Sequence, residues 1–302
     1  MEVTPSRSHV QATGAEHERY TTGSVTSQDG TTIGYRKVGH GPGVVLLHGA
    51  ASSGYNHLQL AEALATEFTV YLPDRRGRGL SSMCGPDYSL QKEVEDVDAL
   101  LTTTDTHQVF GVSSGALITL QVALTCPTLY KAALYEPPFF LTDPSTPPAV
   151  LARYEQEMAQ GKLAAAMITG MKGAQMGPGI LQVMPRWLLV SLTNLLMRSE
   201  AKNGAGGYLS MRDLAVSMHH DFQLVVTLND QVERFRNVQT DVLLMGGSKS
   251  PAYLKAALDA LEQVLPQAKR VEFPGLNHAA SWNTERGGHP QPVAQALRRY
   301  FA

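Results

Sequence analysis

The sequence predicts an α/β fold: a mostly parallel central sheet with helices on both faces and a helical lid inserted late in the chain. Three observations predict it. Short continuous apolar runs recur along the 302 residues, each ending in a turn rich in Gly, Pro or His, which is the pattern of strands covered on both faces. Segments of helical length and periodicity separate these runs, and that alternation implies parallel strands joined by right-handed crossovers. One stretch, from about 141 to 230, carries helical patterning alone.

The elements follow in order. Met1 to Tyr20 is a polar tail with both signs of charge and no apolar stretch of the signal-peptide kind, so a secretory leader is not expected. Arg19–Ser27 and Thr31–Val38 flank Gln28-Asp29-Gly30, and Asp-Gly between β-rich runs predicts a hairpin. Val44–Leu47 runs into His48-Gly49, and Phe68–Leu72 into Pro73-Asp74-Arg75-Arg76-Gly77-Arg78-Gly79. Strands are likewise expected at Gln108–Gly111, Ala132–Tyr135, Val242–Met245 and Arg270–Phe273. Helices are expected at Leu58–Ala65, Leu90–Leu101, Ala116–Leu124, Tyr253–Val264 and Pro290–Tyr300. The core is thus assigned to 21–140 and 231–302, and the lid to 141–230.

Eight of the eleven methionines fall in that insertion: Met158, Met167, Met171, Met176, Met184, Met197, Met211 and Met218. Their soft side chains suit two roles, filling the insertion's own core or lining a pocket for a bulky apolar ligand.

Composition excludes several classes. Lys plus Arg total 25 against 27 Asp plus Glu, a net charge of -2, which argues against nucleic-acid or anionic-membrane binding. The apolar interior of Arg186–Arg198 is eleven residues, while a bilayer span needs about twenty. Two cysteines, Cys84 and Cys126, make no disulfide framework. A cytoplasmic location is expected, with a homodimer as one option for assembly. No metal or organic cofactor is expected, because no ligand cluster, zinc spacing or phosphate-binding glycine loop is present.

The chemistry concentrates at strand ends. Gly111-Val112-Ser113-Ser114-Gly115 is G-x-S-x-G between an apolar strand and a helix, the context that pattern requires. The glycines allow a sharp turn that exposes Ser113, and the N–H of Ser114 at a helix start is suited to a developing oxyanion. After His48-Gly49, the N–H of Ala50 is the expected second oxyanion donor. His48 itself reads as structural. Asp74 with Arg76-Gly77-x-Gly79-x-Ser81 reads as a turn and ion-pair scaffold.

Taken together, the strand order, the His-Gly turn, the D-x-R-G-x-G-x-S run and the serine turn resemble the α/β-hydrolase superfamily from about Thr21 to Phe301. The resemblance implies an α/β-hydrolase fold and a nucleophile–acid–histidine triad in that chain order. It places the histidine in the loop after the last strand, at His278, rather than at His107, His219 or His220. The acid usually follows the strand before the last helix–strand unit, but here that turn reads Gly247-Ser248-Lys249-Ser250-Pro251, and Ser250 has no charge to offer an imidazolium.

One strand earlier, Glu136 precedes Pro137-Pro138, 23 residues after Ser113. Neighbouring strands are about 4.8 Å apart, so Glu136 is the assigned acid. Asp221, Asp230 and Asp259 are the alternatives, and Asp241 lies at the wrong end of its strand. A glutamate there beside a Ser-Ser-Gly turn resembles the lactone hydrolases that open the macrocycle zearalenone.

The expected activity is therefore a serine hydrolase, a carboxylesterase or lactonase acting on an apolar small molecule. Alternatives are acyl transfer, C–C bond cleavage or rearrangement at the same triad, or non-hydrolytic ligand binding.

Overall fold

The computed structural model describes residues 19–302 apart from Pro86, Pro178 and Pro266. Most of the polar tail assigned to 1–20 therefore lies outside the described residues. Tyr20, its last residue, is buried edge-on against Tyr55.

Eight strands form one sheet in the order β1-β2-β4-β3-β5-β6-β7-β8. β1 (Thr21–Thr26) and β2 (Thr32–Gly39) make the expected hairpin, and β2 also pairs antiparallel with β4 (Thr69–Pro73). The remaining pairings, through β3 (Gly43–Leu47), β5 (Gln108–Val112), β6 (Lys131–Tyr135), β7 (Asp241–Gly247) and β8 (Lys269–Phe273), are parallel. The chain runs outward from β3 to β4 and then returns to β5 on the other side of β3. That reversal is a topological switch point, and it sets the turns after β3 and β5 side by side at the carboxyl edge of the sheet.

The apolar runs are continuous because the sheet has a core on each face. Val45, Leu47 and Val109 point into one, with α2 (Leu90–Thr104), α3 (Ser114–Thr125) and α9 (Ala252–Val264). Val44, Leu46 and Phe110 point into the other, with α1 (Leu58–Leu64) and α10 (Pro290–Phe301). Alternate residues of one strand thus need apolar surroundings on opposite sides. All eight expected strands and all five expected core helices occur, with ends shifted by at most three residues.

Between β6 and β7 lie α4 (Thr146–Ala159), α5 (Leu163–Gly173), α6 (Gly179–Val183), α7 (Arg186–Asn203) and α8 (Met211–Leu228), with no strand among the described residues. Tyr154, Ala166, Met167, Ala215, Met218 and Phe222 form a core of their own, with Met158, Met197 and Met211 packed against it. Most of these methionines therefore fill the insertion's interior. No helix among the described residues is long and apolar enough to cross a membrane.

Candidate active site

Ser113 sits between β5 and α3 with φ 56° and ψ −126°, a backbone region that costs a non-glycine residue about 1–3 kcal/mol. The surroundings over-determine this turn. Ser113 N–H donates to Tyr135 O at 2.9 Å, and Ser113 O accepts from the N–H groups of Ala116 and Leu117. Gly115 is required for close approach, since a Cβ there would lie 2.4 Å from Leu47 O and 2.5 Å from His48 O. A Cβ on Gly49 would lie 2.8 Å from the Cβ of Ser113. The loops after β3 and β5 thus touch at their glycines, which brings Ala50 beside the serine.

Glu136 leaves β6 with φ 50° and is buried. Its N–H continues the sheet register by donating to Met245 O at 3.1 Å. The side chain crosses the end of β7, where Oε1 accepts from Gly247 N–H at 2.6 Å. Oε2 reaches Nδ1 of His278 at 2.6 Å. Both carboxylate oxygens are therefore engaged, and the imidazole is held by one of them. Ser250, where an acid is usual in the superfamily, is buried, and its Oγ has no hydrogen-bond partner among the described residues.

Ser113, Ala50, Ser114 and His278 all line one cavity. Among the described residues, His278 is hydrogen-bonded to Glu136 and not to Ser113. The rest of the lining is largely apolar and comes mainly from the segment after β6 and the insertion, including Pro138, Phe140, Val150, Met176, Phe222, Val225 and Tyr253. The free volume of this cavity is about 40 Å³. A larger open groove between Gln59, Leu276 and Pro290 contains none of the sequence-predicted site residues.

Of the alternative acids, Asp221 lines the same cavity as Ser113 and His278 but pairs with arginines rather than with His278, and the others lie outside that cavity. Asp259 is exposed and pairs with Arg270, Asp230 is exposed after α8, and Asp241 opens β7 at its amino end. Asp221 is buried, but in a cluster of arginines: it contacts Arg75 at 2.7 Å and Arg78 at 2.5 Å, and accepts from Ser114 Oγ at 2.8 Å. Its burial raises the carboxyl pKa, but the Arg78 and Arg75 charges outweigh that and hold it below the ordinary value.

Sequence reading offered Asp221 only as a substitute acid and missed these partners. The available signal was its position at helical spacing with the apolar Met218 and Val225 of α8, on a face that is buried.

His48 is structural, as expected. Nε2 accepts from the N–H of Arg75 at 3.0 Å, which leaves Nδ1–H to donate to Gly49 O at 2.9 Å. Burial, together with the Arg78 and Arg75 charges, keeps its pKa well below the ordinary value. The scaffold reading of the following run also holds: Asp74 accepts from Arg36 at 3.0 Å and from the N–H groups of Gly54 and Leu80, each at 2.8 Å, and Arg76 pairs with Asp96 and Asp29. Among the described residues, no group of three or more His, Cys, Asp or Glu side chains is placed to hold a metal ion.

Known proteins carry the same plan. An alpha/beta hydrolase from Sphaerobacter thermophilus superposes with a TM-score of 0.75 at 29% identity, covering 93% of this chain and all of that one. The pimeloyl-(acyl-carrier protein) methyl ester esterase of Xanthomonas campestris pv. campestris is 26% identical over 88% of this chain and 97% of its own length. That of Aeromonas hydrophila subsp. hydrophila is 33% identical over 42% of this chain, and the match spans 52% of that esterase. Residues 44–296, most of the chain, match the alpha/beta hydrolase family, and the protein belongs to it.

Proposed function

We propose that this protein is a serine hydrolase that cleaves a carboxylic ester or lactone of an apolar small molecule through an acyl-enzyme. The observation that carries the reading is the 2.6 Å contact between Glu136 and His278 beside a cavity that Ser113 also lines. A carboxylate on Nδ1 fixes the tautomer whose Nε2 is basic. Nε2 takes the Ser113 proton as Oγ attacks the ester carbonyl, and Glu136 stabilises the imidazolium. The N–H groups of Ala50 and Ser114 receive the oxyanion. Ser114 is the first residue of α3, so its N–H has no acceptor within the helix. His278 then protonates the departing alkoxide, and water, deprotonated by the same nitrogen, releases the acid from Ser113.

The apolar lining supports an apolar substrate, and the two methyl ester esterase relatives support ester chemistry. The narrow free space supports a lid role for α4–α8, which must shift to admit anything larger than a small acyl group. In the test, the protein is treated with a fluorophosphonate and assayed on aryl esters and macrolactones of graded size. Labelling is expected at Ser113, with turnover lost in Ser113→Ala; full activity in that variant contradicts the reading.

A further inference from the structure

We infer that Asp221, contributed by α8 of the insertion, is a positioning residue that holds both oxyanion donors in place. The inference rests on the serine-hydrolase reading and extends it to a residue outside the triad.

Each oxygen of the buried Asp221 carboxylate leads to one donor. Oδ1 accepts from Ser114 Oγ at 2.8 Å and from Arg75 Nη1 at 2.7 Å, and Arg75 Nη1 also donates to Ser114 Oγ at 3.1 Å. The side chain of the residue whose N–H faces the reaction is thereby tied to two charged groups.

Oδ2 accepts from Arg78 Nη2 at 2.5 Å, and the other terminal nitrogen of Arg78 donates to Gly49 O at 3.0 Å. Gly49 O also accepts from Ser52 Oγ at 2.9 Å and from His48 Nδ1 at 2.9 Å. The carbonyl of Gly49 and the N–H of Ala50 belong to one planar peptide and point in opposite directions. Three donors on that oxygen, one of them cationic, both aim the Ala50 N–H and polarise it toward stronger donation.

Charge balance explains why an acid stands here. Arg75 and Arg78 are both buried, and Glu93 answers only Arg75, at 2.6 Å. Without Asp221, Arg78 loses its carboxylate partner and two buried guanidinium groups stand against one acid. An apolar pair docks a helix at lower cost than a buried ion cluster, so packing of α8 alone does not require this arrangement. The lid therefore carries the anion on which the oxyanion hole depends.

Asp221→Asn keeps the shape and removes the charge. The expected result is a fall in kcat of about 10²-fold, the scale of one lost oxyanion donor, with KM changed by less than threefold. A trifluoromethyl ketone, which becomes an oxyanion on Ser113, should lose affinity in parallel with kcat/KM, while the product acid binds as before. Ser114→Ala, a milder change, should lower kcat about tenfold and weaken the ketone similarly.

If kcat and ketone affinity stay within twofold in Asp221→Asn, the inference fails. It also fails if product-acid binding weakens as much as kcat, because that marks a structural role. Should Asp221→Asn not fold, Ser114→Ala decides on the same two readouts. Fluorophosphonate labelling of Ser113 in the wild type separates the cases: labelling with intact variants overturns this inference alone, whereas no labelling overturns the serine-hydrolase reading itself.

Discussion

Glu136 and His278 meet at 2.6 Å across the end of β7, although 142 residues separate them in the chain. β7 lies between the strands that carry them, and the carboxylate bridges it by taking the Gly247 N–H on its other oxygen. Glu136→Gln replaces the carboxylate with a neutral amide that offers an imidazolium no counter-charge. In the serine-hydrolase account kcat falls about 10³–10⁴-fold with the fold intact, by analogy with other triads. Adding Ser250→Asp, at the superfamily's usual acid position, restores part of that loss. Steady-state kinetics with circular dichroism as the fold control checks both.

Gly115→Ala places a methyl group against two backbone oxygens at 2.4 and 2.5 Å, where neither partner is a flexible side chain. Overpacking of this kind costs roughly 1–3 kcal/mol. The variant is expected to melt several degrees lower and to lose activity as Ser113 shifts. Thermal unfolding followed by residual turnover measures the two effects separately.

His57 ties the 3₁₀ turn Gly54–His57 to the histidine loop through Nδ1 and Ser281 O at 3.0 Å. Burial pushes its pKa down from 6.5 to about 4. The folded state thus binds fewer protons than the unfolded state between those values. Its contribution to stability is present above pH 6.5 and is lost as pH falls toward 4, about 2 kcal/mol between pH 7 and 5. Denaturant titrations at the two pH values should show this loss, and His57→Gln should reduce it by most of that amount.

Phe140 stacks on Tyr253 at 4.2 Å between ring centres, and both line the cavity. Phe140→Ala widens a site whose free space is about 40 Å³. The optimum acyl chain should lengthen by several carbons, at a stability cost of about 3–5 kcal/mol. A series of aryl esters from acetate to decanoate measures the shift, and an unchanged optimum contradicts the assignment of this cavity to substrate.

Much of the fold was legible because its signals are local. Val44–Leu47 and Val109–Phe110 read as two-sided strands because each residue meets a core on its own side of the sheet. The tight turn at Ser113 was legible from five adjacent residues. The contact of Glu136 with His278 was legible from the superfamily resemblance, the uncharged Ser250 and the spacing of neighbouring strands.

What escaped is non-local. Asp221 lies 146 residues from Arg75 and 143 from Arg78, and no pattern within α8 specifies which cation a buried carboxylate will meet. The contact of Gly49 with the Ser113 turn likewise depends on two loops that only the sheet order brings together.

An acyl-enzyme on Ser113 is measured by a pre-steady-state burst with a p-nitrophenyl ester, read against trapping of the acyl group on a peptide containing Ser113. The wild type is expected to give a burst close to one nitrophenolate per active site and acyl mass on Ser113, and Ser113→Ala neither. Wild-type turnover in Ser113→Ala, or acyl mass trapped on another residue, contradicts an acyl-enzyme on Ser113.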